Sequence, residues 1–383
     1  MRAAVSAMFL MNGFIVGSWA PLVPELAQRH GLSESAIGLM ILALGFGSLI
    51  VMPISGALIA RFGSRPVLRL TCIIVSLALL PVVLAANVTA LAAVMFLFGG
   101  FIGSMDIAMN ANAVVVEKRL SRAIMSSCHG FWSLGGLIGA AGGGLLIDRV
   151  GADMQVGLVT VIALLLALAF IGRIAADLPV PEESKPKFQL TLKPMPYVVG
   201  LMALFSMVPE GAVLDWGALY LREELGADVT VSGLAFGAVA ATMALMRFAG
   251  DAVRQRFGAV ATIRWSAIIA GFGLVMAALA TGPAMAIAGF ALSGLGIANL
   301  VPVALSAAGN LPGLPPGVGI SIATCMGYSG ILLAPALIGF VAEYHGFSIA
   351  FLGMACLFVV VLLMSPVARH ADIGPNQPAA AGE

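Results

Sequence analysis

Asp106 and Asn110 stand four residues apart in an otherwise apolar stretch, Gly103-Ser-Met-Asp-Ile-Ala-Met-Asn110, which places them on one face if the stretch is helical. Ala113 and Glu117 return to nearly the same face, Glu117 about 16 Å further along at 1.5 Å per residue. A carboxylate beside an amide can hold a proton or hydrogen-bond a polar solute, and such a stripe suits the wall of a water-filled cavity. The competing reading is an aspartic acid bonded to hydroxyls of neighbouring helices. Glu210 and Asp215 form a second acidic group. Five residues turn a helix by about 140°, so both face one point only if Gly211 lets the chain unwind. One of them faces a cavity and the other a neighbouring helix, or Asp215 is simply interfacial, and the sequence leaves the choice open. His129 is the only histidine well inside an apolar stretch, either a proton relay or a hydrogen-bonded packing residue. Asp106, Glu210 and His129 are thus the proton-handling candidates.

Asn12, Asn110, Asn299 and Ser133 are polar groups able to orient a neutral ligand. Trp19, Trp132, Trp216 and Tyr328 offer flat faces for a sugar ring, though Trp and Tyr also serve as interface anchors. With Asp215, these residues make up the expected solute-binding set. Ser126 and Ser127 neighbour His129, but nucleophilic catalysis needs a base placed against the serine across helices, and no second histidine or nucleophile signature supports a hydrolase. No catalytic residue is assigned and no enzymatic activity is expected. No metal site is expected either, because no second His, Cys or acid sits at ligand spacing. Cys72, Cys128, Cys325 and Cys356 all lie in apolar stretches and read as small core residues. No cofactor is implied.

The elements that carry these side chains follow from composition. Of 383 residues, 61% are hydrophobic and 10% charged, against roughly 45–50% and about 25% in a soluble domain. That excludes a soluble fold and points to an all-α membrane protein. Twelve apolar windows are long enough to span a bilayer: 4–26, 35–59, 66–86, 89–115, 124–147, 154–174, 196–221, 230–250, 259–280, 284–308, 316–342 and 347–367. With both termini cytoplasmic, 16 of the 19 basic residues fall on the inner side, leaving Arg29, Arg149 and Arg222 outside. A multi-pass protein of the cell (inner) membrane follows. A net charge of +1 leaves no basic surface for nucleic acid.

The expected organisation is a six-helix half at 1–174, a cytoplasmic linker at 175–195 rich in proline and charge, a second six-helix half at 196–367, and a cytoplasmic tail at 368–383. Sliding the chain on itself by 195 positions lays Arg61-Phe62-Gly63 on Arg256-Phe257-Gly258, Asp148 on Glu343 and Gly151 on Gly346. The two halves therefore read as a parallel repeat. Helices 1, 4, 5, 7, 10 and 11 are expected to line a cavity, the first five for their interior Asn, Asp, His and Glu and helix 11 with Tyr328. Helices 3, 6, 9 and 12 are almost wholly apolar supports.

Between the second and third windows, Gly56-Ala-Leu-Ile-Ala60-Arg61-Phe-Gly63-Ser64-Arg65 resembles the loop signature Gly-xxx-Asp-Arg-x-Gly-Arg-Arg of the major facilitator superfamily. Gly56, Arg61, Gly63 and Arg65 match; Ala60 replaces the aspartate that in the family helps latch the cytoplasmic ends, and Ser64 replaces an arginine. The other reading of these arginines is purely topogenic. Gly144-Leu-Leu-Ile-Asp148-Arg149-Val-Gly151 fits the same pattern, yet by helix count it lies outside and reads as a decoy. The Asp106 to Asn110 segment resembles helix 4 of the fucose permease branch, where an acid and an Asn four residues later belong to a sugar and proton site. Glu210-Gly211, Asp215-Trp216 and Met326-Gly327-Tyr328 look like an uncharacterised bacterial facilitator group near that branch. Helix 1 departs from the branch in having no acid before Glu25. The resemblance implies two six-helix halves and alternating access, with proton-coupled symport of a small neutral polar solute such as a sugar. An efflux antiporter for amphipathic compounds is the alternative. The partners so implied are a solute, a proton and the lipid bilayer, around a monomer.

Overall fold

The computed structural model describes residues 1–177 and 191–372. Most of the expected 175–195 linker and the tail beyond residue 372 lie outside the described residues.

Every regular element among the described residues is helical. The first half runs through α1 (Arg2–Trp19), α2 (Leu22–His30), α3 (Glu34–Phe62), α4 (Ser64–Leu77), α5 (Leu80–Val83), α6 (Val88–Leu120), α7 (Met125–Val150) and α8 (Ala152–Ile171). The second runs through α9 (Met195–Glu223), α10 (Val229–Phe257), α11 (Ala259–Ala278), α12 (Pro283–Ile297), α13 (Leu300–Ala308), α14 (Pro316–His345) and α15 (Phe347–Met364), closing on a 3-10 helix at Ser365–Ala371. Among the described residues, eleven helices are long and apolar enough to cross a membrane, and a twelfth span results if α1 and α2, bent by 41° at their break, are one. That bend sits where Pro21 follows the last turn of α1. The expected eighth window stopped at residue 250, whereas α10 continues to Phe257.

Two compact units form. One comprises Met1–Leu120, Cys128–Thr191 and Leu314–Ser321; the other comprises Ser121–Ser127, Leu192–Gly313 and Ile322–Glu383.

Four single-glycine turns organise these units. Gly63, Gly151, Gly258 and Gly346 each separate two consecutive helices and hold φ of 88°, 83°, 82° and 84°. An L side chain rarely adopts that conformation, so glycine is required by the backbone itself. Gly63 and Gly151 are 88 positions apart, as are Gly258 and Gly346, so each half repeats internally as well as with its partner. The decoy signature ending at Gly151 is explained: it resembles the loop signature at Gly63 because both close the same turn.

Side chains fasten these corners. At Gly63, Asp177 accepts from the backbone N–H of Ser64 (2.7 Å) and of Arg65 (3.0 Å), 113 and 112 residues away. At Gly258, Asp372 accepts from the N–H of Ala259 (2.6 Å), again 113 residues away. At Gly346, Glu224 accepts from the N–H of Phe347 and from the Ser348 hydroxyl (2.9 Å). Each carboxylate satisfies N–H groups that a starting helix leaves without partners. The fourth corner uses the same positions with the charges redistributed. Arg29, 195 residues before Glu224, donates to Asp153 (2.8 Å), 195 residues before Ser348, and to the Val83 carbonyl (2.6 Å). Asp177 and Asp372 were expected in linker and tail; both are structural.

Candidate functional site

In the first unit, the middle of α6 is buried over several turns, with Asp106 8% exposed and Asn110 fully buried. Small residues at Gly99, Gly100 and Gly103 let α3 pack closely, which is what encloses this part of α6. Asn110 donates through Nδ2 to the Asp106 carbonyl (2.9 Å), and its Oδ1 meets His129 Nε2 on α7 at 3.2 Å. The His129 ring packs against Phe9 with centroids 5.2 Å apart. One turn further along α7, Trp132 Nε1 donates to Asn12 Oδ1 on α1 (2.9 Å), while Asn12 Nδ2 is buried without a hydrogen bond. Asp106, Asn110, His129, Trp132 and Asn12 are therefore assembled by α1, α6 and α7. The Asp106 carboxylate itself has no hydrogen-bond or ion-pair partner among the described residues. Glu117 and Ala113, on the same stripe, are fully buried. Ser133, half-buried, donates to the His129 carbonyl. Trp19 lies apart, packed on Phe98 with centroids 6.1 Å apart.

In the second unit, Glu210 and Asp215 on α9 separate as their spacing requires. Glu210 Oε1 accepts from Arg247 Nη2 on α10 at 2.9 Å, with the two side chains 20% and 7% exposed. Asp215 is exposed. This corrects the placement of Arg247. An apolar window closing at residue 250 puts Arg247 near the inner end of its helix; because α10 runs ten residues beyond Arg247, it is an interior cation paired with Glu210. Asp251 and Arg254 follow at one-turn intervals on the same face of α10 and are also buried. Arg254, beyond the 230–250 window, bonds Ser306 (2.8 Å) and the Ala371 carbonyl. Asp251 was not singled out at all. It accepts from the N–H of Ser126 (2.9 Å) and Ser127 (3.2 Å), capping the first turn of α7. The available signal was its alignment, 195 residues on, with Gly56.

Asn299 occupies the break between α12 and α13, fully buried, with neither amide atom hydrogen-bonded. It lies against Gly250, where a Cβ would overlap it. Trp216 packs against Phe347 at 5.7 Å between centroids. Tyr328 is half-buried on α14. In the loop signature, a Cβ on Gly56 would strike Ser321 and the Gly317 carbonyl, so this glycine serves close packing. Arg61 is exposed and lies over Phe62 at 5.1 Å, and the Arg65 N–H is held by Asp177. Among the described residues no group of three His, Cys, Asp or Glu could hold a metal ion.

The profile of the Major Facilitator Superfamily matches residues 5–220 and 199–382. An uncharacterized MFS-type transporter of Yersinia pestis is 33% identical over 367 residues, covering 94% of this chain and 93% of its own length. Among solved structures, the E. coli fucose:proton symporter FucP superposes with a TM-score of 0.80 at 18% identity, over 96% of this chain and 98% of that one. The proton:xylose symporter XylE superposes with a TM-score of 0.66 at 15% identity, over 94% of each chain.

Proposed function

The chain belongs to the Major Facilitator Superfamily, and on that footing we propose that it is a proton-coupled symporter of a small neutral polar solute such as a sugar. The halves 1–174 and 196–367 are the two bodies that alternate access, joined by the cytoplasmic linker at 175–195. The protein acts as a monomer in the cell inner membrane with both termini, including the 368–383 tail, in the cytoplasm, and performs no enzymatic chemistry.

One observation carries this reading: Asp106 is a buried carboxylate in mid-span with no cation beside it among the described residues. An ionisable group in that setting is costly unless it has a function, and proton loading is the function a lone carboxylate can perform. Asn110, His129, Asn12 and Trp132 supply hydrogen-bonding and aromatic surface within a few turns of it. The printed descriptions of two fold neighbours, a fucose:proton and a proton:xylose symporter, agree with that chemistry. Arg247 does not argue for an anionic solute, because Glu210 already balances its charge.

The test is uptake into reconstituted vesicles under an imposed proton gradient, using a panel of monosaccharides and polyols. Accumulation that follows the gradient inward is expected. Asp106→Asn keeps the shape and fixes the group as neutral, so it should abolish accumulation while retaining solute exchange between equal pools. Full accumulation by that variant overturns Asp106 as the coupling site, and gradient-driven export overturns symport in favour of antiport.

A further inference from the structure

Resting on the solute class just proposed, we infer that Glu210 and Arg247 form a clamp for two adjacent hydroxyl groups, so that the solute carries a vicinal diol. Glu210 Oε1 and Arg247 Nη2 are 2.9 Å apart, which fixes an acceptor and a donor side by side, Arg247 well inside the apolar span of α10 and Glu210 three residues before the apolar span of α9 ends at Val213. Neighbouring hydroxyls on a ring or chain present oxygens at a comparable separation, so one can donate to the carboxylate as the other accepts from the guanidinium. Arginine's guanidinium is a fixed donor, and its bond to Glu210 Oε1 holds the carboxyl group in one place beside it. The pair is suited to recognition, leaving coupling to Asp106.

Three further observations place a ligand there. Glu210 Oε2 makes no hydrogen bond among the described residues, and the side chain keeps 20% exposure, so acceptor capacity is unspent. Pro209, inside α9, has no N–H, so the Phe205 carbonyl one turn earlier loses its helical donor and can accept from a third hydroxyl. The adjoining face of α9 is open: a Cβ at Gly211 would meet nothing within 4 Å, and Asp215 one turn on is exposed. Asp215 lies just past the apolar span of α9, which ends at Val213, so this face opens toward water at that end.

The experiment measures binding of L-fucose, D-xylose and myo-inositol, each beside its monodeoxy derivatives, by thermal shift on the purified full chain. For the wild type, deleting one member of a vicinal pair should weaken binding by at least about tenfold. Glu210→Gln with Arg247→Met removes both charges together, so neither is left buried alone. In that variant the parent sugar should bind no better than its deoxy derivative. Glu210→Asp, which keeps the charge but withdraws it by one methylene, should shrink the same difference and serves if the double variant does not fold. Deoxy penalties that persist in these variants overturn the clamp while leaving the sugar reading intact. Absence of binding by every compound in the wild type overturns both.

Discussion

Asn110 determines which nitrogen of His129 carries a proton. Its Nδ2 is committed to the Asp106 carbonyl, so the atom turned toward His129 is Oδ1, an acceptor, and Nε2 must be protonated to meet it. With Phe9 on the ring, the imidazole is held as a donor, which is a positioning arrangement. Glutamine can present an N–H to the same carbonyl. His129→Gln should therefore retain proton-driven accumulation to within a fewfold, whereas a relay would make it as defective as Asp106→Asn. Vesicle uptake under an imposed gradient distinguishes the two. The candidates near Asp106 were legible in the sequence because a polar residue inside an apolar window is conspicuous wherever it folds. Their pairing was not, since Asn110 with His129 and Asn12 with Trp132 depend on how α1, α6 and α7 lie side by side. Arg247 shows the opposite failure: in a window closing at residue 250 it reads as an end-of-helix charge, whereas the helix runs on to Phe257 and Glu210 on α9 pairs it.

At the scale of elements, the glycine turns and their carboxylate caps divide the labour. The turn needs a backbone conformation that only glycine adopts cheaply, and the cap needs an acid far along the chain. Gly151→Ala should destabilise by about 1–2 kcal/mol despite the open space around it, because the penalty lies in φ. Gly157→Ala, also in open space but in the interior of α8, should be neutral or stabilising by up to ~1 kcal/mol. Thermal unfolding of the two variants in detergent separates a conformational from a steric requirement, and equal effects would contradict this account. Asp177→Ala should cost about 1 kcal/mol by stripping the cap from α4. The repeat by 195 residues made the glycines visible in advance. The caps were not, because Asp177 and Asp372 lead directly into proline-rich polar sequence that reads as loop, and their partners lie 113 residues away.

For the whole molecule, the apolar runs dictated the span count almost unaided, since a bilayer admits few alternatives to a helix once twenty apolar residues are in line. The same runs say little about which helices meet water, because lipid and protein interior are equally apolar. Polar content decides that question. Asn, Asp, His and Glu in span interiors fall on the elements of helices 1, 4, 5, 7 and 10, with Asp251 buried on α10, while α8 beyond Asp153 and the whole of α15 carry no ionisable side chain except Cys356. Cys356 is exposed on α15 and so discriminates between water and lipid. A charged methanethiosulfonate stays in water and does not enter hydrocarbon, so it reaches a thiol only where water does. In protein retaining Cys356 alone, with Cys72, Cys128 and Cys325 replaced by serine, a charged reagent should give no labelling in intact vesicles. Adding Asp215→Cys on the open face of α9 should introduce rapid labelling that a transported solute slows. Labelling of Cys356 at a rate comparable to that of the introduced cysteine would put α15 against water and overturn the division into lining and supporting helices.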